Sequence, residues 1–101
     1  MPKPTPTLAT LRAHREEILA LAERYGAYNL RVFGSVARGD VNQDSDVDLL
    51  VNFREGTSLF ELSGFRQDLQ ELLDISVDVV EDHPKLRERF RQRILKDTTP
   101  L

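Results

Sequence analysis

Gly34-Ser35-Val36-Ala37-Arg38-Gly39, and a short way on Ser45-Asp46-Val47-Asp48-Leu49-Leu50-Val51, is the stretch on which the fold and chemistry of this chain turn. The first string leaves an alternating strand and enters a short helical run that Gly39 ends. Glycine lets a backbone come close to a ligand, and the exposed N–H groups where a helix begins favour an anion. Ser35 adds a hydroxyl that can donate to a phosphate oxygen. In the second string, side chains two apart on a strand share a face, so Asp46 and Asp48 point one way while Val47, Leu49 and Val51 point to the core. Paired carboxylates repel, which raises their proton affinity, and a cation between them relieves the conflict. Magnesium fits, as a hard ion held by one or two carboxylates together with substrate phosphates.

Working outward, Tyr28 to Phe33 reads as the strand that delivers Gly34, and Asp40 to Ser45 as a polar loop. Asp46 to Phe53 reads as a second strand and Ile75 to Glu81 as a third, rich in β-branched residues. Asp78 interrupts that third apolar run, and a neighbouring strand can bring it beside Asp46 and Asp48. Three such carboxylates are enough for two metal ions clamping an in-line displacement at phosphorus. A calcium loop starting at Asp40 fits only at Asp40, Asn42 and Asp44. It fails where Ser45 replaces the turn glycine and Val51 the bidentate glutamate.

Helical periodicity covers the rest. Thr7 is a suitable N-cap for a helix carrying Leu8, Leu11, Ile18, Leu19, Ala22 and Tyr25, stopped by Gly26. Ser58 caps a helix carrying Leu59, Leu62, Phe65, Leu69, Leu72 and Leu73. Pro84 opens a last helix with the stripe Leu86, Phe90 and Ile94. Its basic residues, from Lys85 to Lys96, form the solvated face opposite that stripe. Tyr25 and Tyr28 read as packing residues, and His14 and His83 as surface residues. The order α-β-(short α)-β-α-β-α belongs to a small α/β or α+β layer fold.

Length and composition set the outer bounds. The 101 residues suffice for one core, expected over residues 7–101 behind a flexible proline-rich lead-in at 1–6. Zero cysteines exclude a disulfide framework and thiolate metal sites. No apolar run is long enough to span a bilayer and the N-terminus has no signal-like apolar stretch, so a cytoplasmic location is expected. A net charge of −3 argues against a dedicated nucleic-acid-binding domain, which is usually basic.

Taken together, Gly34-Ser35-x-Ala37-Arg38-Gly39, the short spacer and Ser45-Asp46-x-Asp48-Leu49 strongly resemble the minimal nucleotidyltransferases of the DNA polymerase β superfamily, with Val77-Asp78-Val79 like that family's third acidic position. The resemblance spans about residues 8 to 97. It implies an α+β fold, a short mixed sheet with flanking helices. It also implies that Gly34 and Ser35 hold a triphosphate, that Asp46 and Asp48 bind two magnesium ions, and that Asp78 is a further ligand helping to activate the attacking hydroxyl. Arg38 contacts the triphosphate or anchors its loop. Chains this short resemble the antitoxin half of two-gene toxin–antitoxin pairs, whose partner is a helical HEPN-domain ribonuclease. The implied reaction is transfer of AMP from ATP to a tyrosine hydroxyl of that toxin. The competing readings are an antitoxin that neutralises by binding alone and a transferase acting on a small molecule such as an aminoglycoside.

Overall fold

The computed structural model describes residues 5–42, 44–83 and 85–101. Its centre is a four-stranded sheet made of β1 (Ala27–Phe33), β2 (Val47–Phe53), β3 (Val77–Glu81) and the short β4 (Thr99–Pro100), in the order β3-β2-β1-β4. β1 runs antiparallel to both β2 and β4, while β2 and β3 are parallel. The parallel pair needs a crossover, and α4 (Leu59–Leu73) provides it. The remaining helices are α1 (Leu8–Ala13), α2 (Arg15–Tyr25), α3 (Gly34–Arg38) and α5 (Glu88–Lys96). None of the helices among the described residues is long and apolar enough to cross a membrane.

The strands alternate as their sequences dictate. Leu30 and Val32 of β1, Val47, Leu49 and Val51 of β2, and Val77 of β3 are buried on one face. There they meet Leu11, Ile18, Ala22, Phe65, Leu69 and Leu73 from α1, α2 and α4. Each such aliphatic or aromatic side chain contributes about 1.5–3 kcal/mol when fully buried. Tyr25 and Phe53 flank Phe65 with ring centroids 6.2 and 6.4 Å away. The opposite face carries Asp48 and Leu50. Leu50 is buried yet lies outside this cluster, as does Ile94 of α5. Asp82, just beyond β3, accepts hydrogen bonds from Arg31 of β1 and Arg91 of α5, each at 3.2 Å, and so ties α5 to the sheet.

Several expectations are corrected. The first helix is two, broken at His14, whose backbone (φ −106°, ψ 17°) leaves the helical region. Thr7 and Gly26 do cap the pair, with the Thr7 hydroxyl accepting from the Thr10 N–H and Gly26 at φ 78°. β2 starts at Val47 and β3 at Val77, so Asp46 and Ile75 stand just outside their strands. Leu59, expected on the buried stripe of α4, is 80% exposed in the first turn after the Ser58–Glu61 capping box, beside Phe60 at 88%. The last helix begins at Glu88, which leaves Leu86 outside it, and Phe90 is exposed, so only Ile94 of the expected stripe is fully buried; Tyr28 is half-exposed and not part of the packed core. Pro6, counted with the lead-in, is buried. Residues 1–4 of that lead-in, and Pro84, lie outside the described residues.

Candidate active site

Strand register assembles the acids. Phe33 pairs with Asp48 across the antiparallel step, and Asp48 pairs with Asp78 across the parallel one. Adjacent strands lie about 4.8 Å apart, so paired residues present their side chains side by side on one face. The first backbone position after Phe33 is Gly34. It has φ 73°, and a Cβ built there would lie 2.5 Å from Oδ2 of Asp48. The glycine is therefore required twice over, by its backbone conformation and by the carboxylate against it. α3 then runs from Gly34 to Arg38 and stops at Gly39, φ 78°, where the Asp40 N–H donates to the Ser35 carbonyl at 2.9 Å.

The loop before β2 is held by its own side chains. The Ser45 hydroxyl accepts from the Asn42 N–H at 3.0 Å, and the Asn42 side-chain oxygen accepts from the Asp44 N–H at 2.8 Å. Ser45 thus fixes the approach of the chain to Asp46, a role its sequence position alone does not reveal. Asp46 and Asp78 are exposed and Asp48 is part-buried.

The charges do not balance among the acids. Burial pushes the Asp48 carboxyl above its ordinary range, and the nearby charges of Asp78 and Asp46 push it further, while Arg38 pulls it back. Arg38 itself pairs with Asp97 at 3.4 Å. Arg66 of α4, which the sequence reading missed, stands by Asp78, with Nη2 3.6 Å from Oδ1 and Nε donating to the Val77 carbonyl at 2.8 Å. Nothing marks Arg66 in the sequence, since it reads as one more polar residue of an amphipathic helix.

Among the described residues, no three His, Cys, Asp or Glu side chains stand close enough together to hold a metal ion. Asp46, Asp48 and Asp78 are therefore not a closed cage. The donor set still suits magnesium, which keeps open positions and is commonly held by one or two carboxylates plus phosphate oxygens. The like charges pressing on Asp48 are what such an ion relieves. An open cleft of about 800 Å³ lies at the far end of the sheet, lined by Tyr28, Asn52, Asp82 and Arg91 among others. Those residues are remote in register from Asp48, so this cleft is separate from the acids.

The profile of the nucleotidyltransferase domain family matches residues 13–101, and those residues contain every feature above. The chain belongs to that family. The protein adenylyltransferase MntA of Thermococcus cleftensis is 44% identical over 70 residues, covering 69% of this chain and 68% of that protein. A solved structure of a minimal nucleotidyltransferase is 46% identical with a TM-score of 0.82, covering 94% of this chain and 96% of the other. A solved complex of tri-AMPylated Shewanella oneidensis HEPN toxin with MNT antitoxin shares the fold, at 18% identity and a TM-score of 0.65, covering 88% of this chain and 69% of that one. This chain is thus a minimal nucleotidyltransferase of the MntA type, with the α+β fold of its relatives.

Proposed function

We propose that this nucleotidyltransferase transfers AMP from ATP, with magnesium, to a tyrosine hydroxyl of a partner HEPN-domain ribonuclease, acting as its antitoxin in the cytoplasm. The observation that carries the proposal is the register Phe33–Asp48–Asp78, with Gly34 closed down on the Asp48 carboxylate. The name of the Thermococcus relative and the AMPylated toxin held by an MNT antitoxin support the choice of nucleotide and of acceptor protein.

Asp46, Asp48 and Asp78 are the residues that would hold magnesium, with Gly34 and Ser35 receiving the triphosphate. The bound metal supplies charge neutralisation for the phosphate oxygens and lowers the proton affinity of the acceptor hydroxyl. The tyrosine oxygen attacks the α-phosphorus, a new phosphorus–oxygen bond forms, and the bond to the bridging oxygen of pyrophosphate breaks. Pyrophosphate leaves with that electron pair, and the hydroxyl proton passes to the carboxylate of Asp78. Asp48, part-buried with its carboxylate against Gly34, is held in a fixed orientation as a magnesium ligand. Little covalent work falls to the protein in such a transfer; positioning and electrostatics dominate.

Restoring ribonuclease inhibition separates an enzyme from a binder. Purified toxin mixed with the wild-type chain, ATP and magnesium loses ribonuclease activity and stays inactive after the chain is removed. The Asp46→Asn/Asp48→Asn variant leaves the toxin active. Equal inhibition by that variant would establish neutralisation by binding alone.

A further inference from the structure

We propose that Arg66 is a built-in counter-cation for the third carboxylate: its guanidinium stands at Asp78 and competes there with a divalent ion. The inference rests on the reading of Asp78 as a metal ligand and adds a residue that controls when the ion enters.

The geometry fixes the guanidinium independently of the carboxylate. Its Nε donates to the Val77 carbonyl at 2.8 Å, and one helical turn on, Gln70 Oε1 accepts from the Val77 N–H at 3.0 Å. Two side chains at i and i+4 on α4 thereby hold both backbone groups of the first residue of β3. With Nε committed to the backbone, Nη2 is left 3.6 Å from Asp78 Oδ1. That separation is an ion pair without a hydrogen bond, and both side chains are about half exposed, at 48% and 54%. Such a pair is weak, so the cation is close enough to repel a metal and loose enough to be displaced. On the other side of Asp78 lies Asp48, on whose charge Arg38 acts. Arg38 makes its ion pair with Asp97 and not with Asp48, so Arg66 is the arginine that stands directly against a strand carboxylate of the site.

A divalent ion arriving alone meets the Arg66 charge across Asp78. An ion arriving with a triphosphate does not, because the phosphate charge compensates it. Arg66 thus couples metal entry to nucleotide entry and disfavours binding of the metal alone.

The test is titration of the nucleotide-free full chain with Mn²⁺ alone, followed by calorimetry or by the spin-resonance signal of the free ion. Arg66→Gln keeps an amide donor for Val77 and removes the charge; it is expected to bind Mn²⁺ about two- to fivefold tighter than wild type, the range of an exposed charge pair. That gain shrinks at high salt. Arg66→Lys keeps the charge and is expected to bind as wild type does. Asp78→Asn is expected to bind more weakly. Unchanged or weaker Mn²⁺ binding by folded Arg66→Gln, with Asp78→Asn weakened, overturns the role of Arg66 alone. Unchanged binding by Asp78→Asn overturns the assignment of Asp78 beneath it.

Discussion

Replacing Gly34 by alanine is the sharpest perturbation of the site, because two separate costs meet at one atom. The backbone is at φ 73°, and an L-residue held there costs about 1–2 kcal/mol. The new Cβ would stand 2.5 Å from Asp48 Oδ2, so the carboxylate must swing away by about 1 Å to reach ordinary contact. Turning a side chain about 30° off its rotamer adds about 0.5–1.5 kcal/mol. The sum, about 1.5–3.5 kcal/mol, lowers Tm by about 6–28 °C in a domain of this size. The loss of activity is expected to be disproportionate, about 100-fold, since a 1 Å misplacement of a reacting group has that effect. Gly39 supplies the control: it has φ 78°, but an added Cβ meets nothing within 4 Å. Gly39→Ala therefore carries the backbone cost without moving a carboxylate. Thermal unfolding by circular dichroism and steady-state AMP transfer on both variants decide the matter. Equal losses of transfer in the two variants, at matched stability, would refute the reasoning that Gly34 is there to let Asp48 sit where it does.

Other expectations concern the charged and packed residues around the sheet. Asp48→Asn should raise stability at pH 7 while abolishing transfer. The Asp48 carboxyl is held above its ordinary value of 3.8, first by burial and then by Asp78 and Asp46, so its ionisation costs stability as pH rises above 3.8. The gain in Tm should accordingly fade as pH is lowered through that range in a pH series. Asp82 has the opposite sign: burial pushes its carboxyl up, but hydrogen bonds from Arg91 and Arg31 outweigh this and hold it below 3.8. Its stabilisation is complete above 3.8 and is lost as pH falls through the lowered value. Asp82→Asn is expected to cost about 1.5–3 kcal/mol in urea unfolding at pH 7. Phe65→Ala should cost about 3–5 kcal/mol by the same measurement, whereas Phe60→Ser, in the same helix but exposed, should change stability by less than about 0.5 kcal/mol.

Much of this was legible in the sequence because it is local. Thr7, Gly26, Ser58 with Glu61, and Gly39 announce their helix ends through side chains and conformations that act within a few residues. The alternation in β2 orients Asp48 against Val47 and Leu49 without any knowledge of the neighbouring strands. What the sequence left open is long-range. β4 exists because Thr99 and Pro100 reach the edge of β1, and two residues carry no strand signal of their own. The half-exposure of Tyr28 follows from the face to which a bulge in β1 turns it, and Asn29 at φ 54° carries that irregularity. Phe90 matches the helical period, yet it is exposed and of the α5 residues only Ile94 is fully buried. Within the site, the acids were readable from their spacing and Gly34 from its turn. Arg66 was not, since only the packing of α4 on β3 places it at Asp78.

The most direct measurement of the central claim is transfer of α-labelled ATP, with magnesium, onto the co-purified partner, comparing wild type with Asp48→Asn and Asp78→Asn. The account predicts label on a partner tyrosine with the wild-type chain, and none with either variant in a complex that still forms. A folded wild-type complex that remains unlabelled with every nucleoside triphosphate contradicts it.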